Sequence, residues 1–337
     1  MRIALDAMTS ELGVEEAVHG LFDALAAVPD LKVLAVGQPD LLRPLLDRGP
    51  AALRGRVDLV PAADVIGMNE EPAFAFKSKK EASVSVATRL VKEGLAEGAC
   101  SAGNTGASMT AATLLLGRVP GVRRPAIFTP LPSAKGYCGL LDSGAVVDCR
   151  PEDLVQFAVM GALYMRYVMG VKDPRVGLLS IGEEDKKGNA QTLETLPLLR
   201  QADVNFIGNV EGRDLFNGAC DVAVCDGFVG NVVLKTAEGI ANLMLSELKQ
   251  QYASQGPLAK LGYLLSRSVF KGMLRRMSPD TAGGGPLLGV GGVFIITHGR
   301  ANRVMIMNGL KAAAECVRQD VPGRLREAFV GVVEAAP

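Results

Sequence analysis

The run Arg175-Val176-Gly177-Leu178-Leu179-Ser180-Ile181-Gly182-Glu183-Glu184-Asp185-Lys186-Lys187-Gly188-Asn189 passes from an apolar, strand-like segment into a glycine-bounded loop crowded with charge. Residues 190–201 beyond it read as a helix. Strand, polar glycine loop and helix form the repeating unit of an α/β protein. Three further stretches repeat the unit, around Ser101-Ala102-Gly103-Asn104-Thr105-Gly106, Gly208-Asn209-Val210-Glu211-Gly212-Arg213-Asp214 and Asp226-Gly227-Phe228-Val229-Gly230-Asn231. A helix starting just past such a loop aims free N–H groups and a partial positive charge at one point. Several such loops along one sheet edge would make a site for a phosphate or a polarised carbonyl, since open α/β sheets bind ligands at the carboxyl ends of their strands.

Outward from these loops, apolar runs predict strands at 2–6, 32–36, 57–60, 126–129, 139–147, 175–181, 204–207, 221–225 and 293–297. Amphipathic stretches predict helices at 14–28, 41–48, 82–93, 108–116, 151–169, 190–201, 232–250 and 302–318. Their regular alternation predicts a three-layer αβα sandwich around a mostly parallel sheet, formed by residues 1–337 as one domain. Residues 250–285 depart from the rhythm. The stretch 257–277 carries five basic residues and no acidic one. Leu258, Leu261, Leu265, Val269 and Met273 recur at helical spacing, beside Arg267, Lys271, Arg275 and Arg276. This reads as a protruding basic amphipathic helical segment that lies in a membrane interface or docks an acidic partner. A surface helix turning its apolar face to the core or to another subunit remains the alternative.

A formal net charge of zero argues against a dedicated nucleic-acid binder, which carries a basic footprint. No apolar run reaches the roughly 20 residues that span a bilayer. The amino terminus enters a strand at once without a signal-peptide layout, so a cytoplasmic chain is expected. Cys100, Cys138, Cys149, Cys220, Cys225 and Cys316 are scattered with no Cys-x-x-Cys pair, which predicts buried reduced thiols rather than a zinc site or disulfides. His19 and His298 are the only histidines, which excludes a mechanism needing several imidazoles. Neither a Gly-x-Ser-x-Gly elbow nor a Gly-x-x-x-x-Gly-Lys-Ser/Thr loop is found, and no serine or cysteine stands beside a base. No metal and no cofactor are therefore expected.

A phosphate reader with no covalent nucleophile fits a reaction in which phosphate itself attacks. The protein then binds it, places it against a carbonyl and stabilises the oxyanion. Gly103, Asn104, Thr105 and Gly106 are the candidate phosphate cradle. Lys186 and Lys187 are candidate cations for an anionic reactant, with solvated turn residues as the alternative. Asn231, expected at a helix start, would donate to an oxyanion or cap the helix. Asp6 and Asp142 end strands and would orient a ligand or a lysine; Asn189 supports the Lys187 loop. The segment around Asn209 has no role that the sequence assigns.

These same strings resemble the PlsX family of bacterial phosphate acyltransferases. The resemblance rests on 101–107, 174–179, 181–184, 187–189, 205–214 and 226–232, together with Leu234-Lys235-Thr236, Pro286-Leu287-Leu288-Gly289-Val290 and His298-Gly299. It implies conversion of acyl-[acyl-carrier protein] and orthophosphate to acyl phosphate and free carrier protein, with the product passed to the membrane acyltransferase PlsY. It also implies a fold similar to phosphotransacetylases and isopropylmalate-type dehydrogenases, a homodimer, and reversible membrane attachment through a helical hairpin, here Leu258–Met277. By position, Lys187 would hold phosphate or thioester and Asn231 would polarise the carbonyl. A phosphotransacetylase-like enzyme using a coenzyme A thioester, or a non-catalytic membrane-surface adaptor, would share many of these features. Three places depart from the family's usual residues: Thr9-Ser10-Glu11 for Gly-Gly-Asp, Ala82-Ser83 for Ser-Ser, and Gly144-Ala145-Val146 for Gly-Ala-Asn.

Overall fold

The computed structural model describes residues 1–254, 256–277 and 283–333, without the side chains of 253, 257, 259, 260, 271, 273–277 and 331–333. The alternation read from the sequence is present, but its strands divide between two sheets. The first comprises β1 (Arg2–Asp6), β2 (Lys32–Gly37), β3 (Val57–Pro61), β4 (Gly98–Ser101) and β5 (Ala126–Ile127), joined late in the chain by β11 (Gly285–Leu288) and β12 (Val293–Ile296). Its order is β3-β2-β1-β4-β12-β11-β5. The second comprises β6 (Thr129–Ser133), β7 (Gly136–Leu141), β8 (Arg175–Leu179), β9 (Asn205–Val210) and β10 (Val222–Val224), in the order β6-β7-β10-β8-β9. Pairing is parallel except at β11–β12, β11–β5 and β6–β7, so this is an α/β fold with mostly parallel sheets.

Between the strands run α1 (Val14–Ala27), α2 (Pro39–Asp47), α3 (Ala51–Arg54), α4 (Pro72–Ser78), α5 (Ser83–Lys92), α6 (Thr105–Leu115), α7 (Pro151–Tyr167), α8 (Ala190–Leu199) and α9 (Asp214–Asn217). The helices α10 (Gly227–Ser254), α11 (Gly256–Met277), α12 (Arg303–Arg318) and α13 (Val321–Val333) complete the described chain. Side-chain alternation along the strands decides which face each helix covers. In β1, Ile3 and Leu5 join the core beneath α1 and α12, whereas Ala4 points into the one beneath α5 and α6. In β10, Val222 and Val224 pack toward α7 and α8 while Ala223 faces α9 and α10. The core that holds Ile3 and Leu5 also holds Leu141, Val176 and Val222, so one body of buried side chains runs beneath both sheets. All six thiols are free, and Cys149 alone is not fully buried.

The chain crosses between sheets at Phe128, fully buried between β5 and β6, with its ring 4.3 Å from that of Tyr164. Asp142, just past β7, secures the crossing. Its Oδ1 accepts from the N–H groups of Ile127 at 2.9 Å, Gly144 at 3.1 Å and Ala145 at 3.0 Å. Its Oδ2 accepts from Ala145 at 2.9 Å and Val146 at 2.6 Å. Ile127 belongs to the seven-stranded sheet and Asp142 to the five-stranded one, so one carboxylate joins both. The strand expected at 139–147 therefore stops at Leu141, because 143–146 wraps the carboxylate instead. The first turn of α10 lies on this wrap so tightly that a Cβ at Gly230 would fall on the Asp142 carbonyl oxygen, and one at Gly227 would come within 2.6 Å of Oδ2. Only glycine fits there.

Replacing Asp142 by Ala strips one buried and three half-buried N–H groups of their acceptor, at roughly 1–3 kcal/mol for each buried donor left unsatisfied and less for those water can reach. Urea unfolding should show a loss of about 3–5 kcal/mol, allowing for partial relaxation. Asp142→Asn should rescue little of this, since its NH₂ would face the Ala145 and Val146 donors. Near-wild-type stability of the Ala variant would remove Asp142 from this role.

Candidate active site

The four glycine loops do end strands, but they do not share one sheet edge. The 101–106 loop follows β4 of the seven-stranded sheet; the other three follow β8, β9 and β10 of the five-stranded sheet. Their boundaries also shift. Gly208-Asn209-Val210 is part of β9 rather than a loop. Asp226 caps α10 through Oδ1, which accepts from the Val229 N–H at 2.8 Å, so Asn231 lies past the first turn and caps nothing.

At the end of β1, Asp6 is buried and holds the 101–106 loop in place. Its Oδ2 accepts from the Ser101 hydroxyl at 2.8 Å and the Thr9 hydroxyl at 3.0 Å. Burial raises its pKa above the ordinary carboxylate value, against the opposing pull of these donors. Thr9 packs on Gly103 so closely that a Cβ there would lie 2.8 Å from the Thr9 Cβ. The side chain of Asn104 is fully engaged in structure. Oδ1 caps α6 by accepting from Ala107 N–H at 3.1 Å, and Nδ2 donates to the Gly67, Met68 and Glu70 carbonyls. What this loop offers an anion is therefore the first turn of α6 at Thr105 and Gly106, with the Thr105 hydroxyl.

The Lys187 loop is organised by its own acids. Asp185 pairs with Arg200 at 2.7 Å and Glu183 with Arg213 at 3.2 Å. Lys186 and Lys187, both exposed, form no ion pair among the described residues. The Lys187 N–H donates to the Glu184 carbonyl at 3.0 Å and its carbonyl accepts from the Ser180 hydroxyl at 3.2 Å, which fixes the backbone under the free ammonium. Asn189 Oδ1 caps α8 by accepting from Thr192 N–H at 2.9 Å. The Asn209 segment has a position in this assembly. Asn209 Nδ2 donates to the Glu184 carbonyl at 3.1 Å, and Arg213 from the same segment holds Glu183. Sequence reasoning missed this because the bond runs from a strand into the loop of its neighbour, and no spacing encodes it.

Asn231 lies exposed on α10, its amide against Gly144, where an added Cβ would sit 3.7 Å from Oδ1. One turn on, Lys235 Nζ lies 3.3 Å from His298 Nε2 and 2.8 Å from Glu238 Oε2. His298 follows β12 of the other sheet, so this contact closes the gap between the two sheets' carboxyl edges. Between the Lys187 loop and the start of α10 opens a cleft of about 170 Å³. Leu154, Leu178, Leu179, Ile181, Cys225 and Val229 line it, with Gly188 and Asp226 at opposite sides. Burial, with Asp226 and Asp142 nearby, drives the Cys225 thiol far above its ordinary pKa, so it stays protonated and unreactive as a nucleophile. Among the described residues no three His, Cys, Asp or Glu side chains cluster as a metal site requires.

The hairpin of α10 and α11 is closed by Tyr252, whose ring lies 5.3 Å from Tyr263 and 5.5 Å from Phe270. Leu258, Leu261, Leu265 and Val269 are exposed along α11, as is Arg267. The side chains of Lys271, Arg275 and Arg276 fall outside the described residues. No described helix is long and apolar enough to cross a membrane.

The fold places the chain in the α/β class to which the phosphotransacetylases belong. A phosphotransacetylase from Streptococcus pyogenes superposes with a TM-score of 0.60 at 17% identity over 94% of each chain. A branched-chain phosphotransacylase from Enterococcus faecalis superposes with a TM-score of 0.59 at 13% identity, over 94% of this chain and 99% of the other. At these identities the likeness shows the fold. The family model described as "Fatty acid synthesis protein" matches residues 1–324. The phosphate acyltransferase of Heliobacterium modesticaldum is 48% identical over 334 residues, 99% of each chain, and that of Acidobacterium capsulatum 46% identical over 333 residues. The chain belongs to the PlsX family of phosphate acyltransferases, enzymes of fatty acid and phospholipid synthesis.

Removing the clamp on the Lys187 loop should loosen it selectively. In Arg213→Ala and Asn209→Ala, hydrogen exchange at the Lys187 amide should quicken roughly tenfold, equivalent to one lost hydrogen bond, while β8 amides keep their protection. Unchanged exchange at 184–188 in both variants would detach the Asn209 segment from the loop.

Proposed function

We propose that the protein transfers the acyl group of acyl-[acyl-carrier protein] to orthophosphate, releasing acyl phosphate and free carrier protein. One observation carries this reading: an unpaired lysine, Lys187, stands on a clamped loop beside a cleft whose other wall includes Val229, in the first turn of the helix that presents Asn231. In this reading Lys187 holds the incoming phosphate, with Lys186 adding to the positive field and the Thr105–Gly106 turn of α6 as a second anion contact. A phosphate oxygen attacks the thioester carbonyl carbon. The new C–O bond forms as the carbonyl becomes an oxyanion, which Asn231 Nδ2 stabilises by donating to it. The C–S bond then breaks, and the thiolate of the carrier's prosthetic arm leaves and takes up a proton from solvent. Phosphate is a nucleophile at neutral pH, so no protein base is required.

The exposed apolar stripe of α11, with Arg267 beside it, supports attachment of the enzyme to a membrane surface, where PlsY would consume the acyl phosphate. A homodimer with cytoplasmic location completes the proposal. A coenzyme A thioester as donor is the second reading, favoured by the fold shared with phosphotransacetylases.

With acyl carrier thioester and phosphate, hydroxylamine should trap acyl hydroxamate; the same assay with acyl-coenzyme A separates the two donors. Lys187→Ala and Asn231→Ala should each lower turnover about 10²–10³-fold with the fold intact. Near-normal rates would take those residues out of the chemistry, and no phosphate-dependent thioester loss from either donor would sink the proposal. Separately, Leu258→Glu with Leu265→Glu should abolish co-sedimentation with anionic phospholipid vesicles while soluble turnover persists. Undiminished sedimentation would move the membrane contact off α11.

A further inference from the structure

The cleft beside the Lys187 loop has a wall chemistry of its own. Leu154 and Leu178 are fully buried at its base, Leu179 is 8% exposed, and Ile181 at its mouth is 80% exposed. An isoleucine so open to water, at the end of a strand next to a charged loop, has no packing role that explains it. Polar residues do line the cleft, and part of their hydrogen bonding is spent within the protein. The Ser180 hydroxyl donates to the Lys187 carbonyl, and Thr192 and Asn189 bond each other at 2.9 Å. Gln191 Nε2 donates to the Cys149 carbonyl at 2.6 Å, and Asp226 Oδ1 accepts from Val229 N–H at 2.8 Å. The protonated Cys225 thiol adds a further weakly polar surface.

Three groups meet at the reacting carbon of an acyl thioester: phosphate, the arm bearing sulfur, and the alkyl chain. Phosphate does not suit this cleft, because no lysine or arginine lines it and the Asp226 carboxylate does. A carrier's prosthetic arm is rich in amides and needs hydrogen-bond partners along its length, whereas the base and mouth of this cleft present Leu154, Leu178, Leu179 and Ile181. The alkyl chain needs none. We infer that this cleft receives the carbonyl-proximal methylenes of the acyl chain, and that its depth sets chain-length discrimination. The inference rests on the acyl transfer proposed above and adds the position and extent of the acyl subsite.

Capacity follows from volume. With about 170 Å³ of free space, the cleft holds a limited run of chain carbons and not a long acyl chain entire. Each methylene seated in an apolar pocket is worth about fourfold in kcat/KM. Specificity should therefore climb about fourfold per carbon over the first carbons, then level off, as further carbons pass Ile181 into solvent or onto another surface. Val229 and Ile181 control the two ends of the space.

The test compares carrier thioesters from four to sixteen carbons on the whole enzyme. Wild-type turnover of any of them with phosphate establishes the reaction, independently of the cleft. Val229→Phe should move the plateau to shorter chains, its phenyl group taking space that chain carbons would fill. Ile181→Ser, at an exposed position that leaves folding alone, should lower the ratio of long- to short-chain kcat/KM severalfold. If either ratio shifts as stated, the subsite stands. If both variants rescale all donors by one factor, or if wild type shows no rise across the short chains, the acyl chain binds elsewhere and the inference fails while the transfer reaction survives. Absence of wild-type turnover with every donor would overturn the reaction and the subsite together.

Discussion

The carboxylate of Asp142 is the joint on which the two sheets and the reactive face both depend. Five contacts from four backbone N–H groups converge on its two oxygens, one from β5 and three from the loop after β7. Such an array suits an acceptor-only group; a proton on either oxygen would set a donor against a donor. Burial nevertheless pushes its pKa up from the ordinary carboxylate value, so the surrounding dipoles work against a desolvation cost they do not fully cancel. That cost is borne where it fixes geometry most. The wrap around Asp142 is the surface on which Gly227 and Gly230 seat the first turn of α10, and Gly144 within it touches Asn231.

The division into two sheets changes the reading of the glycine loops. A single row of phosphate cradles would have been interchangeable; two edges meeting across a junction are not. The seven-stranded sheet contributes the 101–106 turn and His298, and the five-stranded sheet contributes the Lys187 loop and Asn231. Lys235, one turn beyond Asn231, reaches His298 across the gap. A residue the sequence left as a lone strand-ending histidine thus marks where the edges meet. On the five-stranded side the charges are sorted by pairing. Glu183 and Asp185 are taken by arginines, so Lys186 and Lys187 keep only the Glu184 carboxylate as a counter-charge within the loop.

Much of this was legible in the chain because local periodicity and glycine placement are local signals. Helices α1, α7, α8 and α12 fall within a residue or two of their predicted spans, each carrying a sustained apolar face. The parallel α/β reading followed from alternation alone. What the sequence did not disclose depends on contacts between distant segments. β4, β6 and β11 went unread as strands: Gly98-Ala99-Cys100-Ser101 and Gly285-Pro286-Leu287-Leu288 carry little β-branched signal, and Thr129–Ser133 contains two prolines, tolerated because β6 is an edge. Asn104 illustrates the same limit at the site. Its position before a helix suggested a ligand donor, whereas three carbonyls from residues 67–70 already occupy its amide. Asn209 was the reverse case, a residue with no visible task whose amide steadies the neighbouring loop.

The departure at Thr9-Ser10-Glu11 follows the same logic of compensation. Thr9 bonds Asp6, Ser10 donates to the Ala301 carbonyl at 2.7 Å, and Glu11 N–H donates to the Gly299 carbonyl at 2.8 Å. The Ser10 hydroxyl and the Glu11 N–H thus tie the end of β1 to the turn after β12, the turn that carries His298. Where flexible glycine would let this loop approach or withdraw from a ligand, these ties hold it against Gly103 and Ala301. The consequence falls on the seven-stranded side of the junction. Its anion-facing turn is braced from beneath by Asp6 and Thr9, while on the five-stranded side Asn209 and Arg213 brace the Lys187 loop. Each edge therefore carries its own rigid support, which holds the reacting groups in register.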